Sequence, residues 1–109
     1  MAAREHIEAV MRQVRREEFL PGDVKRHAGM DSALPIGFGQ SNSQPTTVAD
    51  MMELLDVPAG ARVLDVGSGA GWSTAILAEL VGPDGQVHGA GAEGTAITAH
   101  GAYRFVPLL

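Results

Sequence analysis

Two short stretches of this sequence carry side chains that could do chemistry. The first is a run of amide and hydroxyl residues, Gln-Ser-Asn-Ser, at residues 40–43. The second is the glycine-rich turn Asp-Val-Gly-Ser-Gly-Ala-Gly at residues 65–71. Amides and hydroxyls orient a polar ligand without adding charge, and glycines let a ligand approach the backbone closely. Each stretch either binds a ligand or only caps a helix and turns the chain. The elements that surround the two stretches help to decide between these roles.

Hydrophobic spacing predicts the elements that would position the polar run. Apolar residues at helical spacing predict a first helix from about Arg4 to Glu17 and a second that begins at Pro45. The two stripes are Ile7, Val10, Met11 and Val14, followed by Val48, Met51, Met52 and Leu55. Residues 22–33 show no period and are predicted to form a loop. The apolar, glycine-broken residues that follow fit neither a strand nor a linker.

The glycine turn lies inside a predicted βαβ unit. The continuously apolar residues 61–67 are typical of a strand buried on both faces of a parallel sheet. A helix over residues 72–81 follows and stops at Gly82 and Pro83. Residues 86–90 then open a second strand. This order of elements predicts an α/β protein.

The spacing of the glycines restricts the ligand. Trp72 stands where the nicotinamide and flavin fingerprint needs its last Gly or Ala, and no Gly-Lys-Ser/Thr follows for a phosphate loop. The remaining pattern, with Asp65 two residues before Gly67, resembles the first motif of Rossmann-like S-adenosylmethionine-dependent methyltransferases. The aminoacyl end of that cofactor needs close backbone approach and a carboxylate for its ammonium group. A glycine turn without any ligand is the alternative.

Residues 34–45, LPIGFGQSNSQP, extend this resemblance. They resemble the L-P-I-G-x-G-Q-T-x-S-Q-P signature of protein-L-isoaspartate O-methyltransferases, and R-x-x-F-L-P at residues 16–21 precedes them in the family's order. The resemblance covers about residues 7–89. It implies an α/β, Rossmann-like methyltransferase fold, of which this chain holds the N-terminal portion: the N-terminal helices and the first βαβ unit.

The resemblance also implies site residues. The family's active-site serine falls on Ser43, and Gln40, Ser41 and Asn42 fall on the loop that closes over cofactor and substrate. Ser41 replaces the family's usual Thr, and Asn42 replaces a residue that is often Ile. The implied cofactor-binding residues are Asp65, Gly67, Ser68, Gly69 and Gly71. Capping of the second helix is the other role considered for Ser43.

The implied reaction is methyl transfer from S-adenosyl-L-methionine to the carboxylate of L-isoaspartyl residues in damaged proteins, whose ester then collapses to a succinimide. That carboxylate is already ionised at neutral pH, with a reference pKa of about 4. The enzyme therefore needs to align the reacting groups and exclude water rather than move a proton. A related methyltransferase acting on another peptide carboxylate, and an inactive remnant or interaction module, are the alternatives.

The sequence departs from the family after residue 90. The family's ribose-binding acid aligns with Gly91, and Glu93 lies two residues further on. Truncation or a frame shift near residue 90 would explain the change. The predicted organisation is an N-terminal helix and loop (1–33), a substrate and cofactor loop with its helix (34–60), the first βα(β) unit with the cofactor turn (61–90), and a Gly/Ala-rich tail without regular structure (91–109).

Composition limits the remaining function classes. The 109 residues suffice for one small domain, and the absence of Cys excludes disulfides and thiolate metal sites. No apolar run predicts a membrane span, so the expected compartment is the cytoplasm. Six of the eight Lys and Arg residues lie in residues 1–30 but alternate with acids, which disfavours nucleic-acid binding. No metal is expected, since the four His residues lack ligand spacing, and Trp72 is expected to pack rather than bind.

Overall fold

The computed structural model describes residues 3–37, 39–90, 96–100 and 104–107, the last two ranges as backbone only. In these ranges the helices are α1 (Arg4–Gln13), α2 (Pro45–Leu55) and α3 (Trp72–Val81), with short 3-10 helices at Arg16–Phe19 and Lys25–His27. The strands are β1 (Leu34–Gly37), β2 (Gln40–Asn42), β3 (Arg62–Val66), β4 (Gln86–Ala90), β5 (Ala96–His100) and β6 (Arg104–Pro107). The order of elements confirms the α/β class.

Helix α1 ends four residues earlier than its predicted end at Glu17. Val14 leaves the helical region with φ −87° and ψ 87°, and the 3-10 helix Arg16–Phe19 follows. In a continuous helix Arg16 would lie about 180° from Ile7, on the solvent side, because each residue turns the helix by about 100°. The break instead buries both Val14 and Arg16.

Helix α2 begins at Pro45 as predicted, but Ser43 does not cap it. The N-cap is Gln44, and it makes no side-chain capping bond. Asp31 from the preceding loop takes this role, because its Oδ1 accepts the Thr46 amide at 2.9 Å and its Oδ2 accepts the Thr46 hydroxyl at 2.6 Å. The capping role considered for Ser43 was therefore wrong, because the Asp31 carboxylate and not the Ser43 hydroxyl binds the first turn of the helix.

The predicted βαβ unit is present. Strands β3 and β4 run parallel, with Val63 opposite Val87 and Asp65 opposite Gly89, and α3 connects them. Strands β5 and β6 continue the sheet antiparallel, in the order β3-β4-β5-β6. These two strands differ from the expectation of a tail without regular structure. Strand β5 pairs with β4 through backbone N–H and C=O groups, so the pairing does not depend on a regular apolar pattern in the added strand.

The core lies between α3 and the other two helices, on one face of the sheet. Its fully buried members include Ile7, Val14, Thr74, Ile76 and Val87. The burial of Ile7, Val10 and Val14 confirms the first predicted helical stripe. The second stripe is confirmed only at Val48 and Met52, because Met51 and Leu55 are 62% and 54% exposed. On the opposite face of the sheet, Leu64 and Val66 of β3 are 66% and 75% exposed. The prediction that this strand is buried on both faces, as in most parallel sheets, was therefore wrong. Strand β3 lies at an edge of the described sheet, and its five residues are all exposed or half-buried.

Candidate functional site

The residues before α2 form a β-hairpin that lies against the glycine turn. Strands β1 and β2 pair antiparallel, with Leu34 opposite Asn42 and Pro35 opposite Ser41. The interpretation of this stretch as neither strand nor linker was wrong, because the glycines that break its pattern sit near the hairpin tip. The side chain of Ile36 reaches the turn, where its Cδ1 lies 3.4 Å from the position of a Cβ on Gly69.

The turn itself depends on glycine. Gly67, Gly69 and Gly71 adopt φ values of 76°, 57° and 96°, which L side chains rarely tolerate. The turn is anchored to the end of β4, where Ala90 O accepts hydrogen bonds from the amides of Gly67 at 2.6 Å and Ser68 at 3.2 Å. The turn is therefore held between β3 and α3, with Gly67 and Gly69 exposed and Ser68 and Gly71 buried.

Asp65 joins the end of β3 to the start of α3. Its Oδ2 accepts hydrogen bonds from Ser73 Oγ at 2.6 Å and Thr74 Oγ1 at 2.8 Å. Both bonds end on the same oxygen. A carboxylate beside the first turn of a helix is also favoured by the helix dipole. Asp65 thus holds the glycine turn between two fixed elements, in addition to any role towards a ligand.

Gly89 of β4 contributes to the site through its missing side chain, and no sequence motif pointed to it. A Cβ on Gly89 would lie 2.6 Å from Thr74 Oγ1 and 3.0 Å from Ser68 Oγ. These distances are far below normal contact. Only glycine therefore lets the glycine turn and the start of α3 approach β4 this closely.

Two clefts meet at the candidate serine. The smaller, about 60 Å³, lies between the hairpin and the glycine turn, and the larger, about 290 Å³, lies between α2 and β3. Both are lined by Ser43, Val48, Gly67 and Ser73. Ser43 is exposed, so its side chain is accessible where the two clefts join.

The predicted site residues divide between these clefts. Those lining the smaller one are Ser41, Asn42, Ser43, Gly67, Ser68 and Gly69. Asp65 lines the larger cleft, together with apolar side chains of α2 that include Met51 and Met52. Gln40 and Gly71 line neither cleft; Gln40 begins β2, and Gly71 is the N-cap of α3. The polar run and the glycine turn, 22 residues apart from Ser43 to Asp65, are thus brought together in space.

Arg16 is a further residue behind the smaller cleft, and in the sequence it was notable only as part of the R-x-x-F-L-P match. Its side chain is buried, and its Nε donates to Oδ1 of the buried Asn42 at 2.6 Å. Burial lowers the pKa of Arg16, while the nearby Asp31 carboxylate opposes this shift. Hydrogen bonds from Thr46 lower the pKa of Asp31 in turn.

The donor groups of the turn fit one end of S-adenosylmethionine. A Cβ on Gly67 would meet no atom within 4 Å, so the backbone there is open to a ligand. Asp65 supplies a carboxylate nearby, with Oδ1 outside its two hydroxyl bonds. The positions considered for the ribose, Gly91 and Glu93, lie outside the described residues. The fit therefore concerns the aminoacyl end.

Neither a metal-binding cluster nor a membrane-spanning helix lies in the described ranges. No group of three or more His, Cys, Asp or Glu side chains lies there in an arrangement that could hold a metal ion. Within the same ranges, none of the helices has the length and apolarity needed to cross a membrane.

Sequence comparison identifies relatives over most of the chain. A profile of the family described as protein-L-isoaspartate(D-aspartate) O-methyltransferase matches residues 1–98. The protein-L-isoaspartate O-methyltransferase of Methanothermobacter thermautotrophicus is 44% identical over 84 residues, covering 77% of this chain and 39% of the relative. That of Methanopyrus kandleri is 53% identical over 77 residues, covering 71% of this chain and 34% of the relative. The chain thus spans between a third and two fifths of their length.

Structural comparison gives the same relationship. A solved protein-L-isoaspartate O-methyltransferase superposes with a TM-score of 0.72 at 30% identity, covering 80% of this chain and 29% of that structure. A Plasmodium falciparum structure named for the same activity, in complex with S-adenosyl-L-homocysteine, gives 0.68 at 25% identity and covers 78% and 40%. The fold is therefore the N-terminal portion of a Rossmann-like methyltransferase. With its polar hairpin set against a glycine turn and a family match over residues 1–98, the chain belongs to the protein-L-isoaspartate(D-aspartate) O-methyltransferase family.

Proposed function

We propose that this chain supplies the cofactor turn and the substrate-side loop for methyl transfer from S-adenosyl-L-methionine to the carboxylate of L-isoaspartyl residues in damaged proteins. The observation that carries the proposal is the meeting of the two clefts at Ser43, with the glycine turn on one side and the polar hairpin on the other. A transfer between two bound molecules needs such a junction. The family relationship supports this choice of reaction.

The turn residues would hold the aminoacyl end of the cofactor. The backbone at Gly67, Ser68 and Gly69 is the surface that lets this end approach, and Asp65 Oδ1 would accept a hydrogen bond from its ammonium group. When bound, S-adenosylmethionine supplies a methyl group from its sulfonium sulfur: the carbon–sulfur bond breaks and leaves a thioether as the bond between the methyl carbon and the carboxylate oxygen forms. No proton is transferred, so the site requires no general base.

Ser43 would orient the attacking carboxylate. Its hydroxyl donates one hydrogen bond and carries no charge. It can therefore direct an oxygen of the substrate carboxylate without reducing the nucleophilicity of that carboxylate, as a neighbouring cation would. Ser41 and Asn42 extend the same wall of the smaller cleft. The proposed partners are proteins or peptides that contain isoaspartyl residues. The cytoplasmic location and the absence of nucleic-acid and membrane partners stay predictions.

A binding measurement and a transfer assay test this function. Calorimetric titration with S-adenosylhomocysteine should give saturable heat, and labelled methyl groups should pass to an isoaspartyl peptide but not to the aspartyl peptide of the same sequence. Absence of heat at millimolar ligand would favour an inactive remnant or interaction module. Equal labelling of both peptides would favour a methyltransferase for another peptide carboxylate.

The Ser43→Ala variant tests the assigned role of the hydroxyl. A hydrogen bond to a charged group contributes about 1.5–3 kcal/mol, so we expect the methylation rate to fall by about one to two orders of magnitude. Affinity for S-adenosylhomocysteine should stay unchanged. Thr47→Ala is the matched control, because Thr47 is an exposed hydroxyl residue of α2 that lines neither cleft. An equal loss in both variants would contradict the role of Ser43.

A further inference from the structure

The guanidinium of Arg16 links two chain segments that are distant in sequence. Its Nη1 donates to the carbonyls of Ala28 at 3.2 Å and Met30 at 2.8 Å. Its Nη2 donates to the carbonyls of Ser32 at 2.8 Å and Ser43 at 3.2 Å. These bonds, together with the Nε bond to Asn42, tie the loop before the hairpin to the residues that follow β2.

The planar face of Arg16 is also occupied. The guanidinium carbon lies 5.3 Å from the centre of the Trp72 ring, a distance at which a cation and an aromatic ring attract each other. Trp72 is the first residue of α3, follows the glycine turn, and donates through Nε1 to Val14 O at 3.4 Å. Arg16 therefore contacts both sides of the smaller cleft, since Asn42, Ser43 and Trp72 all line it.

The burial of this cation is costly. Arg16 is only 6% exposed, and its six described hydrogen bonds all end on neutral oxygens. A buried charge without a paired anion normally destabilises a fold. By contrast, the neighbouring Arg15 is 64% exposed and pairs with Glu17 at the surface. The chain thus keeps a buried, destabilising cation at a position that joins the hairpin end, the loop before it and α3.

We propose that Arg16 is a positioning residue that fixes the Asn42–Ser43 peptide groups, and with them the Ser43 hydroxyl, against the glycine turn. The proposal rests on the function proposed above for Ser43. Five N–H groups in a rigid fork can reach both segments at once, whereas the single ammonium of lysine has three donors on one atom. Arg16→Lys keeps the charge and should lose the simultaneous hydrogen bonds to both segments.

Hydrogen exchange provides the first test and needs no catalytic activity. In Arg16→Lys the amides of residues 40–47 should exchange about tenfold faster or more, while the amides of α3 exchange as in the unchanged chain. Arg15→Lys is the matched control and should alter neither segment. Asn42→Leu removes only the Nε acceptor and should accelerate exchange in residues 40–47 to a smaller extent, which keeps the test decisive if Arg16→Lys fails to fold. Equal acceleration in α3 would show general destabilisation and overturn the proposal.

Kinetics provides the second test. Misplacement of Ser43 should lower kcat for methyl transfer by about tenfold or more, with little change in the affinity for S-adenosylhomocysteine. A rise in the peptide KM with kcat unchanged would overturn the positioning role. If the unchanged chain neither binds S-adenosylhomocysteine nor transfers methyl groups, the proposed function fails, whereas the exchange measurement still decides the role of Arg16 in ordering the loop.

Discussion

The substitution Gly89→Ala places one methyl group at the closest contact between the sheet and the candidate site. The added Cβ would lie 2.6 Å from Thr74 Oγ1 and 3.0 Å from Ser68 Oγ. Thr74 is fully buried, and its hydroxyl donates to Asp65. The hydroxyl cannot move away without breaking that bond, and Ser68 cannot move without displacing the glycine turn. We therefore expect this substitution to damage stability and ligand binding together.

The magnitude follows from three contributions. Overpacking a close contact costs about 1–3 kcal/mol, and weakening a hydrogen bond to a carboxylate costs about 1.5–3 kcal/mol. Exchanging glycine for alanine returns about 0.4–1 kcal/mol by restricting the unfolded chain. Since relaxation relieves part of the first two costs, we expect a net loss of about 2 kcal/mol. With a urea m-value of about 1–2 kcal/mol per molar, the unfolding midpoint should fall by about 1–2 M.

Urea unfolding followed by circular dichroism measures this loss. The controls are Gly22→Ala and Gly29→Ala, because a Cβ at either position would meet no atom within 4 Å. Both controls should lie within about 0.5 kcal/mol of the unchanged chain. If Gly89→Ala unfolds at the same urea concentration as the controls, the close approach of α3 to β4 does not require glycine and the reasoning is refuted.

Two further predictions concern the cap of α2 and the exposed face of β3. Hydrogen bonds from Thr46 lower the pKa of Asp31 below its ordinary value of about 3.9, so this cap stabilises the fold above that pH and is lost as the pH falls through the lowered pKa. Asp31→Asn should therefore reduce the melting temperature clearly at pH 7 and less at pH 3, and a constant difference between the two pH values would contradict this. Replacing Leu64 and Val66 together by Lys should leave the helical circular dichroism signal unchanged and reduce self-association in sedimentation velocity, because both side chains are mostly exposed. A loss of the helical signal would show that they pack.

Local patterns were sufficient to predict most elements on the helical side of the fold. The start of α2 at Pro45, the strand β3, the helix α3 and the parallel strand β4 all follow from apolar spacing and glycine or proline signals. These signals are local, so one sequence reveals them. The two motifs that line the smaller cleft were also visible, because their residue types are unusual for plain connections.

Contacts between distant segments were not predictable in the same way. The end of α1 at Gln13 depends on the interior space that receives Arg16, and the cap of α2 depends on Asp31 reaching Thr46 across 15 positions. Ser43 was considered as the cap because it stands close to the helix start. The requirement for glycine at residue 89 was equally unpredictable, because it arises from the close approach of Thr74 on another element. Such requirements appear only when the elements are packed.

The size of the smaller cleft bears on how the proposed site works. At about 60 Å³ it has room for only a few water molecules, so a larger ligand would extend into the adjoining larger cleft or displace the hairpin from the glycine turn. Ile36 contacts the turn from β1, whereas Arg16 holds the chain just after β2. Movement of the β1 side would open the cleft and leave Ser43 attached to Arg16 and, through Trp72, to α3. The arrangement thus separates the part that can open from the part that must stay aligned, and a substitution at Ile36 should alter ligand entry while one at Arg16 alters the methyl-transfer step.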